Sequence, residues 1–70
     1  MSYFLQVKKD NIVNVYSLKY YGLKYIKNSD TYELYVKYND EKGVLKFKKI
    51  DHLHEKDFSF ISNKDNYIKL

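Results

Sequence analysis

Lysine and tyrosine are the residues here whose chemistry reaches furthest: the chain holds thirteen basic residues, all lysines, and nine tyrosines. A lysine ammonium meets phosphate or carboxylate as a compact charge, while a tyrosine ring packs or stacks and its hydroxyl hydrogen-bonds. Interleaved on one surface, the two suit phosphate contact with base stacking, or an interface with another protein. Tyr35, Lys37 and Lys46 are the candidates for such a shared outward face, with Lys48 beside them. No arginine is present, so two-pronged recognition of guanine is unavailable, and any nucleic-acid contact would follow shape or backbone.

The densest polar cluster is "DHLHEKD", Asp51 to Asp57. His52 and His54 could share one face of a strand, with the carboxylates of Asp51, Glu55 and Asp57 close by. Zinc sites usually draw ligands from separate segments, however, and the chain has neither a third histidine nor a cysteine. A solvated polar loop is expected, and no metal. Ser2, Ser17, Ser29, Ser59 and Ser62 show no nucleophile elbow, and no glycine-rich phosphate loop is present. No cofactor and no enzymatic activity are expected.

The elements that would position these residues read as strands. Tyr, Val, Ile and Phe dominate the apolar set, which favours pleated structure. Tyr3 to Lys9 alternates, with Tyr3, Leu5 and Val7 on one face, and "KDN" follows as a turn. Ile12 to Tyr21 reads as a strand with a bulge near Tyr16 or Ser17; the rival is a helix capped by Asn11 and ended by Gly22. Thr31 to Tyr38 alternates most clearly, and "NDEKG" joins it to "VLKFKKI" as a hairpin with Gly43 free to take a left-handed conformation.

Charge suggests the register of that hairpin. Pairing Tyr38 with Gly43 places Val36 opposite Leu45, Leu34 opposite Phe47, Glu33 opposite Lys48 and Tyr35 opposite Lys46, whereas a two-residue slip opposes Lys37 to Lys46. Leu34, Val36, Leu45 and Phe47 would then form the core, and Phe47→Ala would cost about 3–5 kcal/mol. "LKYYGLKYIKN" repeats LKY with a five-residue offset, which reverses the face of a strand. A bend or bulge at Gly22 would restore the phase and turn Leu18, Leu23 and one tyrosine of each copy to the core. The polar "DHLHEKD", with room for one helical turn and Leu53 inward, and short strands at Phe58–Ile61 and Tyr67–Leu70 complete the reading. The expected fold is mainly β: a small antiparallel sheet or partly open barrel of five to six strands, SH3- or OB-like in scale, with at most one short helix.

Seventy residues form a single small domain, 1–70, which buries only about 60% of its unfolded surface. Without cysteine no disulfide supports it. No apolar run reaches the length of a membrane helix, and the first residues lack a signal-peptide layout, so a cytoplasmic protein with no membrane partner is expected. Pro, Ala, Arg, Trp and Cys are missing, while Lys, Asn, Ile and Tyr abound. The missing types have mostly GC-rich codons and the abundant ones AT-rich codons, which points to an AT-rich source such as a low-GC bacterium, its phages or its plasmids.

"YIKNSDTYELYV" followed by "FKKIDHLHEKDFSFISN" resembles LytTR DNA-binding domains in segment order, but the basic residues of those domains are mostly lacking after Phe58–Ile61, so no property is transferred. The net charge of +4 is mild. Nine tyrosines exceed what so small a core can hide, and rigid aromatic surface favours protein contact. The functional expectation is a non-catalytic protein-binding module: an inhibitor or adaptor from a phage or other mobile element that blocks a larger machine, for example in an anti-defence or anti-CRISPR role. Its partner would be a protein, with a nucleic-acid-handling complex among the candidates. A weakly selective nucleic-acid-binding module is the alternative, and a homodimer is compatible with either.

Overall fold

The structure, a computed structural model, describes residues 3–61. Six strands form two three-stranded antiparallel sheets. β1 (Phe4–Lys9) lies between β2 (Ile12–Ser17) and β6 (Phe58–Ile61); β4 (Thr31–Asn39) lies between β3 (Tyr21–Ile26) and β5 (Leu45–Leu53). The expected antiparallel β class holds, with two open sheets and no closed barrel. A 3-10 turn, Glu55–Asp57, leads into β6, and the Asp57 carboxylate accepts the His54 N–H at 2.9 Å. The expected strand at Tyr67–Leu70 lies outside the described residues.

Local sequence explains the turns. Lys9 pairs with Ile12, leaving Asp10 and Asn11 as a two-residue loop with φ of 54° and 66°. Tight hairpins that match strand twist need positive φ at both central positions, and Asp and Asn tolerate it. β2 then runs in continuous register to Ser17 with no bulge. The breaks expected near Tyr16 or Ser17 and at Gly22 give way to the turn at Leu18–Tyr20, where the Tyr20 N–H bonds to the Ser17 carbonyl. Gly22 sits in regular pairing opposite Tyr35. The first LKY is thus a turn and the second a strand. Leu18 and Leu23 both pack on the core, while Tyr20 and Tyr25 are exposed.

The core is small. Leu5, Val7, Leu34 and Leu53 are buried, with Tyr16, Leu18, Tyr21, Leu23, Tyr32 and Phe58 packed against them. Leu5 and Val7 face inward as their alternation implies, and Leu53 points inward as expected. Edge-to-face contacts of Tyr16 with Tyr21 (4.8 Å) and of Tyr32 with Phe58 (4.9 Å) join one sheet to the other. So does Lys9, whose ammonium meets Asp51 at 3.0 Å and the His52 carbonyl at 2.9 Å.

The β4–β5 register corrects the charge-based expectation. Asn39 pairs with Leu45, Tyr38 with Lys46, Lys37 with Phe47, Val36 with Lys48 and Tyr35 with Lys49. A bulge between Leu34 and Tyr35 then brings Leu34 opposite Asp51 and Tyr32 opposite Leu53. Relative to the expected pairing the strands are offset by three residues from Tyr35 to Asn39 and by four beyond the bulge, and the odd offset turns Leu45 to Lys49 to the other face. Leu45 and Phe47 are therefore 55% and 57% exposed, and Val36 is half-buried; of the four expected core residues only Leu34 is buried.

Candidate functional site

The outward face of the β3–β4–β5 sheet is built from alternate residues of three strands. Gly22 and Lys24 on β3 lie opposite Tyr35 and Glu33 on β4; Lys37 and Tyr35 in turn lie opposite Phe47 and Lys49 on β5. Gly22, Leu23, Lys24, Tyr35 and Phe47 line an open depression of about 340 Å³. An apolar floor of this kind accepts a side chain more readily than it encloses a small molecule.

Glu33 organises the charge at this face. Its carboxylate accepts the Tyr35 hydroxyl at 2.6 Å and meets the Lys49 ammonium at 3.1 Å. The Tyr35 hydrogen bond and Lys49 hold the Glu33 carboxyl below its ordinary 4.5, and the same hydrogen bond raises the Tyr35 phenol. Lys37 lies over Gly22, where a Cβ would stand 3.4 Å from its Cε, and its ammonium donates to the Leu18 carbonyl at 3.2 Å. Lys37 thus ties the β2–β3 turn to β4.

The four sequence-derived candidates separate onto two faces. Tyr35 and Lys37 occupy the outward face; Lys46 and Lys48, paired with Tyr38 and Val36, occupy the opposite one. The expectation that Tyr35, Lys37 and Lys46 share a face is corrected by the three-residue offset. The structure brings Phe47, Leu23, Lys24, Glu33 and Lys49 to Tyr35 instead. Alternation in "LKFKKI" sets Leu45 and Phe47 on one face and Lys46 and Lys48 on the other, but carries no signal that the apolar pair points outward.

The two aspartates of "DHLHEKD" are engaged within the chain. Asp51 accepts from Lys9 and from the His52 N–H, and Asp57 caps the 3-10 turn. The His52 and His54 rings stand edge to face with centroids 5.9 Å apart. Among the described residues no group of three or more His, Cys, Asp or Glu side chains is placed to hold a metal ion, and no helix is long and apolar enough to cross a membrane.

Fold and surface together define a small all-β protein of two three-stranded antiparallel sheets with an apolar, lysine-fringed hairpin exposed at one edge. Comparison with protein-family models, with curated proteins and with solved structures gives no match.

Proposed function

We propose that the protein is a non-catalytic protein-binding module, an inhibitor or adaptor carried by a phage or other mobile element of an AT-rich host, which blocks a larger machine such as a defence nuclease. The observation that carries this reading is the β4–β5 hairpin, where Leu45 and Phe47 are each more than half exposed and Phe47 joins Tyr35 and Leu23 in one depression. Fully burying a side chain of this kind gains about 1.5–3 kcal/mol, so a partner that covers the hairpin recovers energy the fold leaves unused. Contiguous exposed apolar surface, as distinct from scattered single residues, is the usual mark of an interaction site.

Direct nucleic-acid binding ranks second. Tyr38 lies opposite Lys46 on the face that also carries Lys48, but Glu33 offsets Lys49 and Lys37 is held by a carbonyl. The deciding experiment is capture of partners from host extracts, and from cells carrying candidate defence systems, on immobilised protein and on its Phe47→Asp variant. Each captured protein is then purified and tested for binding. Loss of a purified partner with Phe47→Asp supports the reading. Partners indifferent to Phe47, or a turnover activity that needs His52 or His54, overturn it. Anisotropy titration at low salt with single- and double-stranded oligonucleotides tests the second reading.

A further inference from the structure

We infer that the outer edge of β5, from Leu45 to Ile50, receives an extended segment of a partner protein in which acidic and apolar residues alternate, and that this segment extends the β3–β4–β5 sheet as a fourth strand. The inference rests on the protein-binding reading above and names the chemistry of the partner. β5 is the last strand of its sheet, and among the described residues no strand pairs along its far side. An edge strand directs a row of backbone N–H and C=O groups outward, ready to continue the ladder. Near its C-terminal end the His52 carbonyl already accepts from Lys9, so the open run covers six residues, Leu45 to Ile50, about 20 Å of strand.

The side chains of that run specify the occupant. Lys46 and Lys48 share one face and have no ion-pair partner among the described residues, whereas Lys49 is paired with Glu33. Leu45 and Phe47 share the other face and are exposed. Residues directly opposite on neighbouring strands lie on the same face of a sheet. An added strand therefore sets carboxylates against Lys46 and Lys48 and apolar side chains against Leu45 and Phe47. Each alternate position meets its complement only if the incoming sequence alternates too. Charge opposes a second copy of this chain over the middle of the run. Every symmetric antiparallel pairing of two β5 strands centred between Phe47 and Lys49 sets at least one lysine against another, and like charges across a pair are unfavourable.

The test uses isotope-labelled protein and three capped synthetic peptides of about eight residues, enough to span the run: alternating Glu and Val, alternating Lys and Val, and a block peptide with all Glu preceding all Val. Amide shifts and hydrogen exchange locate binding, and titration measures it. The alternating Glu–Val peptide should bind about tenfold more tightly than either other peptide, since each of two cross-strand charge pairs changes sign or register. Protection should concentrate on Leu45–Ile50. Lys46→Glu with Lys48→Glu should invert the preference toward the Lys–Val peptide; both side chains are exposed, and a circular-dichroism spectrum confirms that the variant folds. N-methylation of the Glu–Val peptide along one backbone edge should abolish binding, which a purely ionic contact would survive. Equal affinity for the Glu–Val and Lys–Val peptides, protection away from β5, or no binding at all overturns the inference. A purified partner that requires Phe47 but ignores the double lysine variant also overturns it, and leaves the protein-binding reading standing.

Discussion

Leu34 and Phe47 lie on adjacent strands, yet the first has no accessible surface and the second is 57% exposed. Leu34→Ala should therefore cost about 2–5 kcal/mol, because it leaves a cavity at the centre of a very small core. Phe47→Ala should change stability by no more than about 0.5 kcal/mol, the ordinary range for surface substitutions. Urea denaturation of the two variants checks the pair; a large loss for Phe47→Ala would place that ring in the core and contradict the β4–β5 register. Glu33 carries a second expectation at this scale. Because the Tyr35 hydroxyl donates to its carboxylate, Tyr35→Phe should move the Glu33 carboxyl up toward its ordinary 4.5, with Lys49 still holding part of the shift. An NMR titration of the Glu33 side chain reads this directly, and an unmoved titration would mean that Lys49 alone sets its value.

The β4–β5 hairpin turns on Asp40 and Gly43. The Asp40 carboxylate accepts the N–H groups of Lys42 and Val44, each at 2.9 Å, and Gly43 has φ of 78°. Space is open around Gly43, so Gly43→Ala is opposed by backbone conformation alone and should cost about 1–2 kcal/mol. Gly22→Ala should be nearly neutral by the same thermal-unfolding assay, since its new methyl meets only the flexible end of Lys37 and its strand pairing is regular. A loss at Gly22 as large as at Gly43 would restore the bend that the sequence suggested there. Strand identity was legible because alternation over Tyr3–Lys9 and Thr31–Tyr38 is a local signal. Register was not, because avoidance of lysine against lysine fits more than one pairing: in the observed one Lys46 meets Tyr38, Lys48 meets Val36 and Lys49 meets Tyr35. Such pairs are worth only about 0.2–1 kcal/mol. Burial of Leu53 beside Tyr32, the bulge opposite Leu34 and the Asp40 loop together decide the offset, and two of these three depend on contacts across the fold. The candidate site shared this limit, since Tyr35 was rightly placed outward while Lys46 and Lys48 changed face with the register.

At the scale of the molecule, few groups among the described residues hold the two open sheets together: the shared leucine core, the two tyrosine edge contacts and the Lys9–Asp51 pair. The ion pair gives that junction a pH dependence whose sign follows from the shifts. Burial pushes the Asp51 carboxyl up, but the Lys9 hydrogen bond, the His52 N–H and the Lys9 charge outweigh it and leave it below its ordinary 3.8. A carboxyl lowered on folding contributes stability that is complete above its unfolded value and is lost as pH falls through the folded one. Lys9 is raised above 10.5, chiefly by the Asp51 hydrogen bond, so its share is complete below that value and is lost in stronger alkali. Asp51→Asn should therefore lower the melting temperature most on the plateau between these limits, and the gap from the parent protein should close as pH falls below about 4. Because Glu33 is lowered as well, the variant should retain some acid sensitivity. Both side chains of the pair are about one-third exposed or more, so added salt should narrow the gap at neutral pH. Lys9→Met should reproduce the acid behaviour of Asp51→Asn, and the double variant should lose no more than the larger single loss if the two act as one contact. Melting curves of the four proteins from pH 2 to 8 decide this; a gap that stays constant across that range would mean Asp51 supports the junction by packing, without its charge.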